Sequence, residues 1–226
     1  MKEKFCRIPL GITNCYLLQC EEGLLLIDTG RSDAYDRFLE RMEEEKLDVG
    51  EIRFLLLTHH HEDHTGFAAR LAEHTGCRII AHEKALQLIR EGRTNAMKPL
   101  NLRAGAAFSL FRLFQKSQGY PPIELSVNDI VIFGDNDTLL RELGVDGEIL
   151  ETPGHSADSI SVLLEDGSLF AGDMAMNIMK PLGLKYRPIY SEEPEEVFRS
   201  WEKVKAAGAK TVYPAHGEPF PAVNLR

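Results

Sequence analysis

The chain has 226 residues, 43% of them hydrophobic and 27% charged, a balance that fits one globular domain over 1–226 and excludes a disordered polypeptide. Its formal net charge of −9 argues against nucleic acid as a partner, because contact with phosphates takes a basic face. No apolar run approaches the about 20 residues needed to span a bilayer, and Met1 to Leu10 carries no long apolar segment behind its charges, so a cytoplasmic protein without a membrane span is expected.

Tyr16 to Cys20 and Leu24 to Asp28 are apolar runs separated by Glu21-Glu22-Gly23, which predicts a hairpin. Ala34 to Leu47 carries Tyr35, Phe38, Leu39 and Met42 among charges, the periodicity of a surface helix. Phe54 to Leu57 predicts a buried strand, Phe67 to His74 a helix and Cys77 to Ala81 a strand. The four cysteines, Cys6, Cys15, Cys20 and Cys77, have no C-x-x-C spacing and are expected to be reduced and mostly buried.

From Lys84 to Ser117 the acidic balance reverses, with Lys84, Arg90, Arg93, Lys98, Arg103, Arg112 and Lys116 against Glu91 alone. Within it, residues 98–120 predict a helical insert with Phe108, Phe111 and Phe114 on one stripe and Leu102, Leu110 and Leu113 on another. Such an insert can wall a substrate that has an apolar chain and a negative group, or bury its apolar area on the core or on a second copy in a homodimer. Ile130 to Phe133, Thr138 to Leu143, Glu148 to Glu151, Ser159 to Leu164 and Ser168 to Ala171 then predict short strands. Glu195 to Ala207 predicts a helix and Thr211 to Tyr213 a last strand. This mixture of strands and helices in both halves implies layered sheets covered by helices.

The strand ending at Leu57 leads directly into Thr58-His59-His60-His61-Glu62-Asp63-His64. In extended chain, residues two apart point to one side, so His59 and His61 can converge on one ion while the following turn aims Asp63 and His64 at a second. Neutral imidazole and carboxylate are ligands for zinc and its transition-metal neighbours. Four more fragments end an apolar strand in a small-residue turn with one such group at the tip, namely Asp28-Thr29-Gly30, Gly154-His155-Ser156, Gly172-Asp173-Met174 and Ala215-His216-Gly217. Singly each is an ordinary turn; together they supply the missing ligands.

In these five motifs, taken in order, the chain resembles the metallo-β-lactamase superfamily over nearly its whole length. The resemblance implies an α+β fold, a four-layer αββα sandwich with the site at one edge between the sheets. It implies that His59, His61 and His155 bind one metal, that Asp63, His64 and His216 bind the second, and that Asp173 bridges them. Asp28 would steady the histidine loop by hydrogen bonding without touching metal. Zinc is the first expectation for the two divalent ions, with iron or manganese open to the same ligands.

The departures narrow the branch. True β-lactamases lack the bridging aspartate, and glyoxalase II enzymes add a helical C-terminal region where this chain stops ten residues after His216. Quorum-quenching lactonases carry a tyrosine three residues beyond the bridging aspartate, where this chain has Met176, and flavodiiron proteins carry glutamate at the position of His61. The expected activity is hydrolysis of a small ester, lactone or thioester by a metal-bridging hydroxide, with phosphodiesters second. Zinc lowers the pKa of bound water from about 15.7 to about 7, roughly 12 kcal/mol, against roughly 3 to 5 kcal/mol from a positioned general base. Asp63 is the catalytic candidate, orienting the water and carrying a proton to the leaving group. An iron persulfide dioxygenase-like enzyme and a non-enzymatic binding module are the rivals. His60, His74 and His82 are expected to be structural, and Tyr186 and Tyr190 to pack in a Pro-rich loop.

Overall fold

The computed structural model describes residues 5–95, 98–99, 119–178 and 185–226. The stripe of the predicted insert, 100–118, lies outside them; Lys98 and Pro99 form a short strand. Two sheets carry the architecture. The first contains β1 (Phe5–Pro9), β2 (Asn14–Cys20), β3 (Gly23–Ile27), β4 (Ile52–Leu56), β5 (Arg78–His82) and β7 (Ile130–Ile132), hydrogen-bonded in that order. β1, β2 and β3 are antiparallel neighbours; β3, β4, β5 and β7 are parallel ones. The second has the order β13 (Phe220–Pro221), β12 (Thr211–Tyr213), β10 (Ser168–Phe170), β9 (Ile160–Leu164), β8 (Gly147–Glu151). A separate pair joins β6 (Lys98–Pro99) to β11 (Tyr190–Ser191).

The two-residue period of extended chain sorts the apolar side chains into layers. Tyr16, Leu18, Leu25, Ile27, Phe54 and Leu56 turn inward and meet Ile149, Val162, Leu164 and Phe170 of the second sheet. Their sequence neighbours Leu17, Leu24, Leu26 and Leu55 turn outward, onto α1 (Tyr35–Glu44), α3 (Ala68–Thr75) and α4 (Leu86–Glu91) through Tyr35, Phe38, Met42, Leu71 and Ile89. The single turn α2 (Glu62–Thr65) lies between β4 and α3, inside the histidine loop. On the far side Leu150, Leu163, Leu169 and Val212 pack under a helix over Pro194–Ala206, through Val197, Trp201 and Val204. The spacing of those three residues puts them on one helical face. Proline at its start, Glu195 and Glu196 in its first turn and Lys203 and Lys205 in its last suit the helix dipole. Helix, sheet, sheet and helix thus stack as the expected αββα sandwich.

One expected strand is a helix. Thr138 to Leu143 forms α5 (Leu139–Glu142), which makes the Pro194–Ala206 helix α6. The Asn136 side chain accepts the N–H of Leu139 at 2.8 Å, and adjacent Leu139 and Leu140 are both buried, which a single face of a strand cannot do. Gly144, at φ 81°, turns the chain out of the helix. β1 and α4 carried too weak a pattern to be predicted. The four cysteines are free, as expected, and no helix among the described residues is long and apolar enough to cross a membrane.

Trp201 is fully buried and its Nε1–H donates to the carbonyl of Met174 at 2.9 Å, tying α6 to the turn that carries Asp173. Replacing Trp201 with alanine removes both packing and bond, and should lower unfolding free energy by about 3–5 kcal/mol in denaturant titration.

Candidate metal centre

β8, β10 and β12 run in one direction, so their C-terminal ends share an edge of the second sheet; the parallel pair β3 and β4 ends at the same edge of the first. Every predicted site residue leaves one of these five ends. Asp28 follows β3, His59 to His64 follow β4, His155 follows β8, Asp173 follows β10 and His216 follows β12. Backbone bonds lace the two sheets together there, from Ile160 N to Thr58 O at 2.9 Å and from Asn14 N to Ala215 O at 2.7 Å. Candidate ligands as far apart in sequence as Asp63 and His216 come into contact because the strands share a direction.

The seven candidate ligands converge in two groups. His61 Nδ1 lies 3.0 Å from His59 Nε2 and 2.9 Å from His155 Nε2. In the second group His216 Nε2 lies 3.2 Å from Asp63 Oδ2, and His64 Nε2 lies 3.9 Å from Asp63 Oδ1. Asp173 stands between the groups, its Oδ1 at 3.4 Å from His64 Nε2 and 3.3 Å from His216 Nε2, its Oδ2 at 3.5 Å from His155 Nε2. Six of the seven are buried; the Asp63 side chain is 31% exposed, so the site opens on its side.

The distal nitrogens are held by fixed acceptors. Asp28, in the left-handed conformation at φ 60°, accepts Thr58 N–H at 2.7 Å, Thr58 Oγ1–H at 2.7 Å and His64 Nδ1–H at 2.8 Å. His155 Nδ1 donates to the carbonyl of Tyr190 at 2.9 Å and His216 Nδ1 to that of Ile12 at 2.8 Å. Each bond commits Nδ1 as donor and turns Nε2 inward, toward the other candidate ligand atoms.

The two groups differ in charge. Burial, and then the neighbouring imidazoles, hold His59 and His61 well below the ordinary histidine pKa, and burial lowers His155. These three rings are neutral and available as ligands. At the other end burial opposes charge on His64, but Asp173, Asp28 and Asp63 together outweigh it and push the pKa up to about 10. His216 is raised well above the ordinary value against the same opposition, mainly by Asp173 and Asp63. Burial raises Asp63 and Asp173, yet these rings hold both carboxyls well below the usual range.

The donor set fits a pair of cations. His64 Nε2 and Asp173 Oδ1 are buried 3.4 Å apart and neither makes a hydrogen bond, so only ion-pair attraction offsets the cost of burying them. Three-residue clusters with ligand atoms within 4.8 Å of one another are His59/His61/His155, His59/His64/Asp173 and Asp63/His64/His216. Imidazole nitrogen with carboxylate oxygen is chemistry that divalent transition metals take.

Other predicted residues stand apart from the ligand groups. His60 turns away from the cation pocket, His74 Nδ1 meets the Tyr35 hydroxyl at 2.6 Å, and buried His82 lies 3.4 Å from Glu151. Tyr186 stacks on Phe220 at 4.2 Å between centroids; Tyr190 serves through its backbone. Asp158 was missed. It is buried against His60; burial pushes its carboxyl up, but the His60 contact, the Ser156 hydrogen bond and nearby His61 together draw it down to about 2. Its position three residues after His155 was the available signal; the carbonyls of Ile12 and Tyr190 have none, since backbone acceptors are common to every residue.

A family model described as "Metallo-beta-lactamase superfamily" matches residues 8–216. A Beta-lactamase-like protein 2 homolog of Drosophila melanogaster is 24% identical over 205 residues, covering 91% of this chain and 58% of that protein. A hydroxyacylglutathione hydrolase of Cereibacter sphaeroides is 29% identical over 175 residues, covering 76% of this chain and 50% of that one. The chain thus spans about half the length of these curated relatives. A solved structure of a metallo-beta-lactamase family protein from Thermus thermophilus is 26% identical with a TM-score of 0.70, covering 99% of this chain and 76% of that one.

In the metal-free chain His64 and His216 hold protons at neutral pH, and a cation taking their Nε2 atoms must expel them. Apparent metal affinity should therefore rise with pH up to about 10, by about tenfold per unit for each proton released. Calorimetric titration in buffers of different ionisation enthalpy reads the proton count directly; zero release would mean that both rings are already neutral.

Proposed function

The chain belongs to the metallo-β-lactamase superfamily, and on that premise we propose that it is a hydrolase of small acyl compounds, thioesters first, that works with two divalent ions. His59, His61 and His155 hold one ion, Asp63, His64 and His216 the other, and Asp173 reaches both. The observation that carries this reading is the buried pair His64 Nε2 and Asp173 Oδ1, 3.4 Å apart and without hydrogen-bond partners, inside a shell of five further ligand atoms. The nitrogen-rich half favours zinc. The thioester preference is supported by relatives named hydroxyacylglutathione hydrolase, at 29% identity in the case compared above.

When bound, such ions polarise a substrate oxygen and acidify water near neutral pH. The chain supplies the rest. Asp173, Asp63 and Asp28 provide the negative charge that retains divalent cations, and the acceptors behind His64, His155 and His216 fix the ring planes before substrate arrives. Burial of all but Asp63 excludes bulk water from the pocket floor and keeps local interactions strong. Asp63, on the open side, is situated to take the proton of an attacking water and pass it to the leaving group.

Elemental analysis of the purified protein, with a panel of generic thioester, ester, lactone and phosphodiester substrates, tests the reading. Two ions per chain and acyl turnover are expected. One iron per chain with oxygen uptake would replace hydrolysis with an oxygenase, and absence of bound metal would leave a binding module. Replacing Asp63 with asparagine should lower kcat by about 10² to 10⁴-fold, the share of a positioned acid–base, with a much smaller change in thermal midpoint. Wild-type turnover in that variant would remove Asp63 from the reaction.

A further inference from the structure

His60 and Asp158 belong to neither ligand group, yet they join the two loops that carry the three-histidine half. His60 lies between His59 and His61, and Asp158 follows His155 by three residues. Both side chains are buried, at 1% and 2% exposure. Asp158 takes two bonds from this one residue, the His60 backbone N–H to Oδ2 and the ring Nδ1–H to Oδ1, each at 2.9 Å. The other polar atoms of His60 are engaged as well: Nε2 accepts the N–H of Asn95 at 3.3 Å, and the carbonyl accepts the Tyr120 hydroxyl at 2.7 Å. An acceptor at one nitrogen and a donor at the other define a single tautomer, with the proton on Nδ1.

The histidine loop is thus gripped from two sides. Asp28 holds its ends, through Thr58 and His64, and leaves the middle free. The middle is held by Asp158, which belongs to the turn that presents His155. His61 Nδ1 lies 3.0 Å from His59 Nε2 and 2.9 Å from His155 Nε2, and that spacing depends on how the two loops are held against each other from behind. We propose that Asp158 and His60 are positioning residues that fix the His155 turn against the His59 and His61 loop, and thereby set the affinity and geometry of the three-histidine ion site. The inference rests on the metal-binding reading of the pocket.

Four variants test it. Asp158→Asn leaves one of the two His60 N–H groups without an acceptor. His60→Gln moves the amide to the place of Nε2 and loses the bond to Asp158, whereas His60→Asn keeps an N–H donor at the place of Nδ1. Asp129→Asn is the control, because Asp129 also accepts two backbone N–H bonds, from Ile79 and Ser126, but belongs to the opposite part of the fold. Zinc affinity is read by competition with a chromophoric chelator, and ligand geometry by the visible bands of the cobalt-loaded protein. Asp158→Asn and His60→Gln should each weaken the three-histidine site by about tenfold, the low end for outer partners of metal ligands, and change the cobalt bands. His60→Asn should restore both toward wild type, and Asp129→Asn should lower the thermal midpoint alone. Should Asp158→Asn fail to fold, the His60 pair decides by itself. Wild-type affinity and bands in folded Asp158→Asn or His60→Gln would overturn the clamp and leave the metal reading intact; a wild-type chain that binds no metal overturns both.

Discussion

Two carboxylates set among imidazoles, Asp173 buried and Asp63 partly exposed, are the constraint around which the rest of the site is organised. Asp173 stands 3.4 and 3.3 Å from the Nε2 atoms of His64 and His216, and Asp63 stands 3.2 Å from that of His216. Taking charge out of water is costly unless it is paired. Without a cation, protons on His64 and His216 supply the pairing; the opposite group of three rings, where burial dominates, gains no such protons. The pocket is therefore polarised before anything binds, one half acidic and the other neutral and nitrogen-rich.

That arrangement depends on the direction of five strands. A strand's C-terminal end is where its chain leaves the hydrogen-bonded ladder and can present a side chain without breaking sheet bonds. Because β3, β4, β8, β10 and β12 all end at one edge, the apolar interior between the sheets forms the floor and the polar turns form the walls. Gly172 illustrates how tightly the turns are packed. It has φ 49°, and a Cβ there would lie 2.6 Å from Thr58 Oγ1, the hydroxyl that donates to Asp28. Only glycine allows the Asp173 turn to sit this close to the histidine loop.

The orientation of the rings comes largely from groups with no sequence signature. Ile12 and Tyr190 contribute carbonyls, and Tyr16 and Asn14 brace the turn of His216 through bonds to Pro214 at 2.8 and 3.3 Å. The first hairpin is consequently part of the site's scaffold although it presents no ligand. An N–H donor fixed against such a carbonyl is aligned by the fold and needs no particular side chain at the accepting position.

The candidate ligands were legible because their chemistry is local: His59, His61, Asp63 and His64 crowd a single turn, and each remaining candidate follows an apolar run of strand length. Layering was legible for the same reason, since alternate residues of Tyr16 to Ile27 divide between two cores according to extended-chain geometry. Thr138 to Leu143 misread as strand because its outcome turns on a cap from Asn136 and on burial of two successive leucines, neither of which has a period. By itself the sequence showed which residues carry ligand-type groups and that strands deliver them to turns. Only the tertiary structure decided that these turns share one edge, which carbonyls fix the rings and that Asp158 grips His60. Such contacts join residues as far apart as Ile12 and His216, and no local pattern encodes a distance across the fold.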